Sequence, residues 1–283
     1  MSSESIYSFA TLRNHLRISA TLVARTALRI GSGRSSDVIG TDLPVLRDAR
    51  GYPLIPGASI KGALRTRMEA LIRVVHENED ENEARDLLAL EKWQTDEIMP
   101  LKERPDLKND DLKLSREIWK RSTLIDLTFG AQWTASRVFV RDALVDKQIW
   151  FGQYEVRNGV GIDRDTETAS DGLLYNYEVV PAGTRFGFEL VAENMADWQL
   201  GMILLALAPW ERGEAQIGGF RSRGLGYVQL EDCSYRFTTI TNTDDVIGLL
   251  AGTSGETISP TQRDTWIGAF KAALAKPSSV KEK

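Results

Sequence analysis

Set one acidic block aside, and the periodic segments of this chain follow in the order strand, helix, strand, strand, helix, strand. That order leaves few architectures open. Residues Leu16 to Ala24 alternate apolar and polar, the period of a half-buried strand. Ile60, Leu64, Met68, Leu71 and Val75 then recur at helical spacing, with Pro56 and Gly57 just ahead as entry signals. Arg137–Asp142 and Thr184–Val191 read as the middle strands, the second with Phe186, Phe188 and Leu190 alternating. Met195–Leu207 reads as a helix whose apolar face is Leu200, Ile203, Leu204 and Leu207, and Leu225–Leu230 as the last strand. The pattern predicts an α+β fold, a ferredoxin-like (RRM-like) palm with two helices on one face of a four-stranded antiparallel sheet. The other face and the loops stay free to bind.

The palm is then discontinuous, covering 10–75 and 123–240. Residues 76–122, with Pro100, Pro105 and isolated Trp93 and Trp119, read as an inserted helical lobe. Residues 152–182 separate the two middle strands by more than a hairpin turn needs, and such a segment is functional or disordered. Residues 241–283 form a C-terminal helical extension, in which Ser259-Pro260 caps a helix carrying Trp266, Ile267, Phe270 and Leu274.

Charge follows the same partition. The net charge of −5 over 283 residues argues against a polyanionic partner at first sight. Residues 76–113, however, carry thirteen Asp/Glu against six Lys/Arg, a net of −7 that leaves the rest of the chain at +2. Residues 13–73 alone are +7, and local sign governs phosphate contacts because screening acts over about 8 Å. One Cys (Cys233) excludes a disulfide framework and a thiolate zinc site, and two His (His15, His76) exclude a multi-histidine metal centre. The longest apolar run, Met202–Trp210, is too short to span a bilayer, and MSSESIYSF lacks the character of a signal peptide. The expected location is the cytoplasm.

Four segments carry chemistry. Gly31–Asp37 (GSGRSSD) resembles a phosphate-cradling loop but fits neither the dinucleotide fingerprint nor the P-loop. A flexible surface loop is the plainer reading, and a nucleotide-binding enzyme the functional one. In Pro56–Arg65 (PGASIKGALR), Ser59 sits near the helix start and Lys61 and Arg65 share a face, an arrangement suited to a backbone phosphate. Gly62 in the helix interior costs ~1 kcal/mol relative to Ala, which points to a close backbone approach there. Gln216–Tyr227 (QIGGFRSRGLGY) offers backbone donors and the arginines Arg221 and Arg223. Asp37 and Asp42 lie in a glycine-lined loop, where a carboxylate acts as a base, a metal ligand, an orienting group or a turn-former.

Together these segments resemble the RAMP superfamily of CRISPR effector proteins, most closely the backbone subunit of type III complexes. The resemblance rests on Ile39–Asp48 (IGTDLPVLRD), Gly51–Arg65 (GYPLIPGASIKGALR) and Gly218–Gly226 (GGFRSRGLG), and covers about residues 12–232. Ala58 replaces the commoner Ser. Gly161–Ala169 resembles the start of the family's thumb hairpin, which gives 152–182 the role of a thumb within the palm. The resemblance implies binding to CRISPR RNA and target RNA beside other effector subunits, including neighbouring RAMP subunits, and no membrane. It assigns RNA binding to Arg47, Gly57, Ser59, Lys61, Arg65, Arg164, Gly218, Gly219, Arg221 and Arg223. Ile162, Leu173 and Leu174 are the candidate thumb wedges. It makes Asp42 the residue needed for a metal-dependent endoribonuclease that cuts target RNA at regular intervals, with a divalent ion, Mg2+ first, as cofactor. No metal ligands are assigned. The alternative is a guide-binding scaffold of the same fold without catalysis.

Overall fold

The computed structural model describes residues 7, 9–34, 40–76, 84, 87–162 and 169–281. In chain order the strands are β1 (Asn14–Ala24), β2 (Leu54–Ile55), β3 (Val138–Val140), β4 (Ala143–Leu144), β5 (Glu155–Ile162), β6 (Ala169–Val179), β7 (Arg185–Glu193), β8 (Ala215–Gln216), β9 (Tyr227–Thr239) and β10 (Glu256–Thr257). The helices are α1 (Gly57–Val75), α2 (Leu87–Trp93), α3 (Met99–Glu103), α4 (Asp111–Arg121), α5 (Leu124–Phe129), α6 (Asp197–Glu211), α7 (Thr243–Leu250), α8 (Pro260–Ala275) and α9 (Ser278–Lys281).

The main sheet runs β10-β9-β1-β7-β3, and its pairs are antiparallel. Taking β1, β3, β7 and β9 as first to fourth strands, the spatial order is 4-1-3-2 with α1 and α6 as the crossovers. This is the ferredoxin-like α+β palm expected from the order of periodicities. Alternation explains which face is packed. In β7, Phe186, Phe188, Leu190 and Ala192 are buried while the residues between them are half-buried or exposed.

On α1 the buried stripe is Ile60, Leu64, Met68 and Ile72, each contributing about 1.5–3 kcal/mol relative to exposure. Leu71 and Val75, expected in that stripe, are exposed, because the helix keeps an i, i+4 stripe and they fall one residue off it. On α6, Leu200, Ile203, Leu204 and Leu207 are all buried with Trp210 at the edge of their face, and so are Trp198 and Met202 off that face. The cause is α8, which covers the outer side so closely that a Cβ on Gly201 would lie 2.0 Å from the Trp266 carbonyl oxygen.

The region 87–121 is helical, with a small core of its own around Ile98, Leu101 and Leu107. A π-helical turn, Gln94–Ile98, joins α2 to α3. The C-terminal part is not purely helical, since β10 adds to the sheet edge beside β9. Residues β5 and β6 form an antiparallel hairpin separate from the main sheet. Ile162 of β5 pairs with Ala169 of β6, and residues 163–168 of the segment likened to a thumb lie outside the described residues. No described helix is long and apolar enough to cross a membrane.

Candidate functional site

β6 organises the site. Its residues Tyr175, Asn176, Tyr177 and Glu178 alternate in direction, so the two tyrosines serve one side and Asn176 and Glu178 the other. The Asn176–Glu178 side holds the loop that carries Asp42. The Asp42 amide donates to Asn176 Oδ1 at 2.7 Å, and the Asn176 amide donates to Asp42 Oδ2 at 2.8 Å. Leu43 bridges in parallel to Tyr177, with the Glu178 amide donating to the Leu43 carbonyl at 3.0 Å. Glu178 Oε2 accepts from the Val45 amide at 3.2 Å and from Arg47 Nη2 at 2.6 Å, and Thr41 Oγ1 reaches Oε1 at 3.4 Å. On its other flank the loop is tied to residues 30–32 through the Leu46 amide on the Ile30 carbonyl and the Ser32 amide on the Pro44 carbonyl. Asp42 itself is exposed at the rim. Asp37 lies outside the described residues, as do Ser35 and Ser36 of the glycine-serine segment proposed to cradle a nucleotide. Gly31 bridges to Val45 and has the Arg29 guanidinium 2.7 Å from where a Cβ would stand.

Arg47, expected on phosphate, is exposed and is also paired within the chain. Besides Glu178, its guanidinium carbon lies 3.9 Å from the Tyr154 ring centroid. Tyr154 donates its hydroxyl to the Gly51 carbonyl, and burial raises its pKa from the ordinary phenol value. The hairpin root, the loop and the 48–52 turn are therefore one hydrogen-bonded unit.

The tyrosine side of β6 holds the glycine-rich loop. Tyr177 packs edge-on against Phe220 at 4.6 Å, and Arg29 and Arg223 lie over the Phe220 ring at 5.1 and 4.9 Å. Arg223 also donates to the Tyr175 hydroxyl, a bond that raises its pKa. Tyr175 in turn lies across Gly159 of β5, where a Cβ would stand 2.2 Å from its ring. Gly218 has φ +87° and no room for a Cβ, which would meet the Arg29 carbonyl at 2.3 Å; the Gly219 amide donates to that same carbonyl. These two glycines seat the loop on residue 29. Arg221 is exposed and its side chain has no partner among the described residues. It borders a cavity of about 550 Å³ that also takes in Gly62, Thr66, Arg67, Trp210 and Gln216.

Lys61 and Arg65 of the α1 motif have partners within the chain. Helix α1 begins at Gly57 with Pro56 as its N-cap, and Ser59 lies in the first turn, making no capping bond with its side chain. The Gly57 amide is taken by Asp142 Oδ1 at 2.8 Å, and a Cβ there would stand 2.1 Å from the Val140 carbonyl oxygen. Lys61 donates to Ser136 Oγ at 2.6 Å, and burial, with help from Arg65, lowers its pKa. Arg65 donates to Glu69 and to the Gly130 carbonyl and lies 3.5 Å from the buried Asp126 carboxylate. Beside Gly62, where a close backbone approach is expected, a Cβ would meet nothing among the described residues within 4 Å.

On the hairpin, Leu174 is opposite Val160 and both are exposed. The side chains of Ile162 and Leu173 and the whole of Arg164 lie outside the described residues. The structure thus brings Asp42, Arg47, Gly218, Gly219 and Arg223 together around β6, with Arg221 at its edge, and turns Lys61 and Arg65 toward α5 and residues 130–136. Sequence reasoning missed Arg29, Tyr154, Tyr175, Asn176, Tyr177 and Glu178. The alternating Tyr-Asn-Tyr-Glu run was a usable strand signal inside 152–182. Among the described residues no three His, Cys, Asp or Glu side chains cluster as a metal site.

Two comparisons bear on this arrangement. The chain is similar to the CRISPR system Cms endoribonuclease Csm3 of Methanocaldococcus jannaschii, at 27% identity over 227 residues, 78% of this chain and 81% of that protein. A family model described as the RAMP superfamily matches residues 21–229, a span that contains the Asp42 loop, α1, the hairpin and the glycine-rich loop. With the palm topology and every segment of the site inside that match, the chain belongs to the RAMP superfamily.

Proposed function

We propose that this chain is the CRISPR RNA-binding backbone subunit of a type III effector complex and that it cleaves guide-matched target RNA at regular intervals. It works in the cytoplasm beside neighbouring RAMP subunits. The observation that carries the reading is the position of Asp42, exposed and fastened to the root of the β5–β6 hairpin. A hairpin that reaches into a guide–target duplex splays a nucleotide there, and unstacking one step costs a few kcal/mol. Leu174 and Val160 offer exposed apolar surface for that contact. Splaying brings the target's 2′-hydroxyl in line with its own phosphorus. The 2′-oxygen–phosphorus bond forms, the 5′-oxygen leaves as a hydroxyl, and a cyclic phosphate remains. Alignment of this kind supplies a large share of a barrier.

Asp42 accepts the 2′-hydroxyl proton or holds the hydroxyl in place. One oxygen, Oδ2, is already engaged by the Asn176 amide. An exposed carboxylate such as that of Asp42 suits a hard cation held by one protein oxygen plus phosphate oxygens and water, the usual Mg2+ mode. Asp42 is the residue that would hold it. When bound, such an ion stabilises charge on the transferring phosphoryl group.

The test is Asp42→Ala in the assembled complex with a matched RNA. Cleavage should fall by at least about 100-fold with target affinity retained. Chelation with EDTA should stop cleavage and leave binding in place. The competing reading, a guide-binding scaffold, is favoured by one observation: the Asn176 amide gives the Asp42 carboxylate a purely structural use. Undiminished cleavage by the Asp42→Ala complex would establish that reading.

A further inference from the structure

The described residues offer several features the proposed function does not use. The open sheet face is crossed by paired charges, with Glu189 holding both Arg17 and Arg141. A cavity under α2 is bordered by the Arg65–Glu69–Arg73 ladder. Helix α7 exposes Val246, Ile247 and Leu250. None of these says what would occupy it. The cluster under the Asp42 loop goes further, because one side chain accounts for the shape of the whole loop.

That side chain is Glu178. Its carboxylate is only 13% exposed, yet it sits among groups that belong to the Asp42 loop and not to its own hairpin. It accepts from the Val45 amide and the Arg47 guanidinium, with Thr41 at the other oxygen. It thereby grips the loop on both sides of Asp42, at residues 41, 45 and 47. Arg47 is sandwiched between Glu178 and the Tyr154 ring, so its charge is paired within this unit. The palm segment 30–32 bonds to the same stretch, at the Pro44 carbonyl, Val45 and the Leu46 amide. Asp42 itself is bonded to Asn176 of the hairpin strand.

We propose that Glu178, acting through Arg47, is a positioning residue that makes the Asp42 loop move with the β5–β6 hairpin, so that Asp42 is aligned only when the hairpin is seated on RNA. The inference rests on the reading that Asp42 serves cleavage. Glu178 touches no substrate in this scheme. Its loss misplaces Asp42 and leaves the RNA-binding surfaces intact.

The experiment is a single-turnover cleavage assay on the assembled complex at saturating matched RNA, with target affinity measured in parallel. Glu178→Ala should slow cleavage by at least about tenfold, since small misplacements of a reacting group are costly. Target affinity should stay within about twofold, which separates a loss in the chemical step from a loss of binding. Glu178→Gln keeps an acceptor for the Val45 amide but weakens the hold on Arg47, and should recover part of the lost rate. Adding Glu178→Ala to Asp42→Ala should slow cleavage no further, because residues acting as a unit are not additive. Cleavage within about twofold of wild type in both Glu178 variants, or affinity falling in step with rate, overturns the proposal. If Glu178→Ala does not assemble, Glu178→Gln decides alone: a fall of at least about threefold at unchanged affinity is expected, and a smaller one overturns the proposal. The two readings separate cleanly. Full activity in Asp42→Ala removes the cleavage assignment itself, whereas loss in Asp42→Ala with full activity in Glu178→Ala removes only this inference.

Discussion

Arg65 of α1 and Arg221 of the glycine-rich loop both stand in basic segments marked out for RNA, and they end in opposite situations. Arg65 is clasped by Glu69, the Gly130 carbonyl and the buried Asp126. Arg221 is exposed, with no side-chain partner among the described residues, at the edge of a cavity. The difference lies in what faces each segment. Helix α1 is met by α5 and residues 130–136, so cations on that flank become internal struts. The glycine-rich loop leads into β9, and Ile217, Leu225 and the ring of Phe220 are drawn inward while Arg221 is left outside. A cation in a motif reports a need for positive charge, and its neighbours decide whether RNA or the protein uses it.

The two glycines of α1 repeat the contrast. Gly57 is buried against β3, where a Cβ would collide with the Val140 carbonyl, whereas a Cβ at Gly62 would meet nothing among the described residues. Gly57 is required by the fold. Gly62, at ~1 kcal/mol of helix propensity, is required by none of the described residues.

Four measurements would break or sharpen this comparison. The largest effect is expected from Arg65→Ala, which strands the Asp126 carboxylate, 1% exposed, without its cation. Truncating one partner of such a pair costs about 3 kcal/mol, read as a lower melting temperature, while the salt dependence of guide binding stays as in wild type. A reduced salt slope would return Arg65 to the RNA surface. Gly57→Ala should follow, at about 2–3 kcal/mol from overpacking against β3. A wild-type melting curve for that variant would mean that the helix start can shift.

Arg221→Ala should leave the melting temperature unchanged and lower the slope of log K against log salt by about 0.7, the release expected for one single-strand phosphate contact. An unchanged slope would show that exposure alone does not make this arginine a ligand. The smallest effect is Gly62→Ala, which should stabilise the free chain by about 0.5–1 kcal/mol. If guide affinity drops at the same time, RNA fills the space beside Gly62; if affinity holds, that flank of α1 faces solvent.

Much of the palm was legible in the sequence. Alternation in β7 and the first three positions of the α1 stripe, Ile60, Leu64 and Met68, are local signals, set by which faces must leave water, and they survive in the structure, whereas in β1 the alternation ends at the register shift after Ser19. The second layer over α6 was not legible from that helix. Trp198 and Met202 lie off the face read as apolar, and they are buried only because α8 returns across a distance in sequence. The loop with Asp42 was found by its motif. Its holders Asn176 and Glu178 lie more than 130 residues away, and no periodicity links the two segments.

The sequence by itself therefore determined the order of elements, the family motifs, the acidic block set apart from a basic N-terminal third, and the two carboxylates Asp37 and Asp42 in a glycine-lined loop. These depend on local pattern and composition. Only the tertiary structure decided which cations are spent inside the protein, which glycines are sterically required, and that β6 holds the Asp42 loop on one side and the glycine-rich loop on the other. The reason is physical: a side chain's role is set by the groups within hydrogen-bonding reach, and in this fold those groups come from residues far apart along the chain.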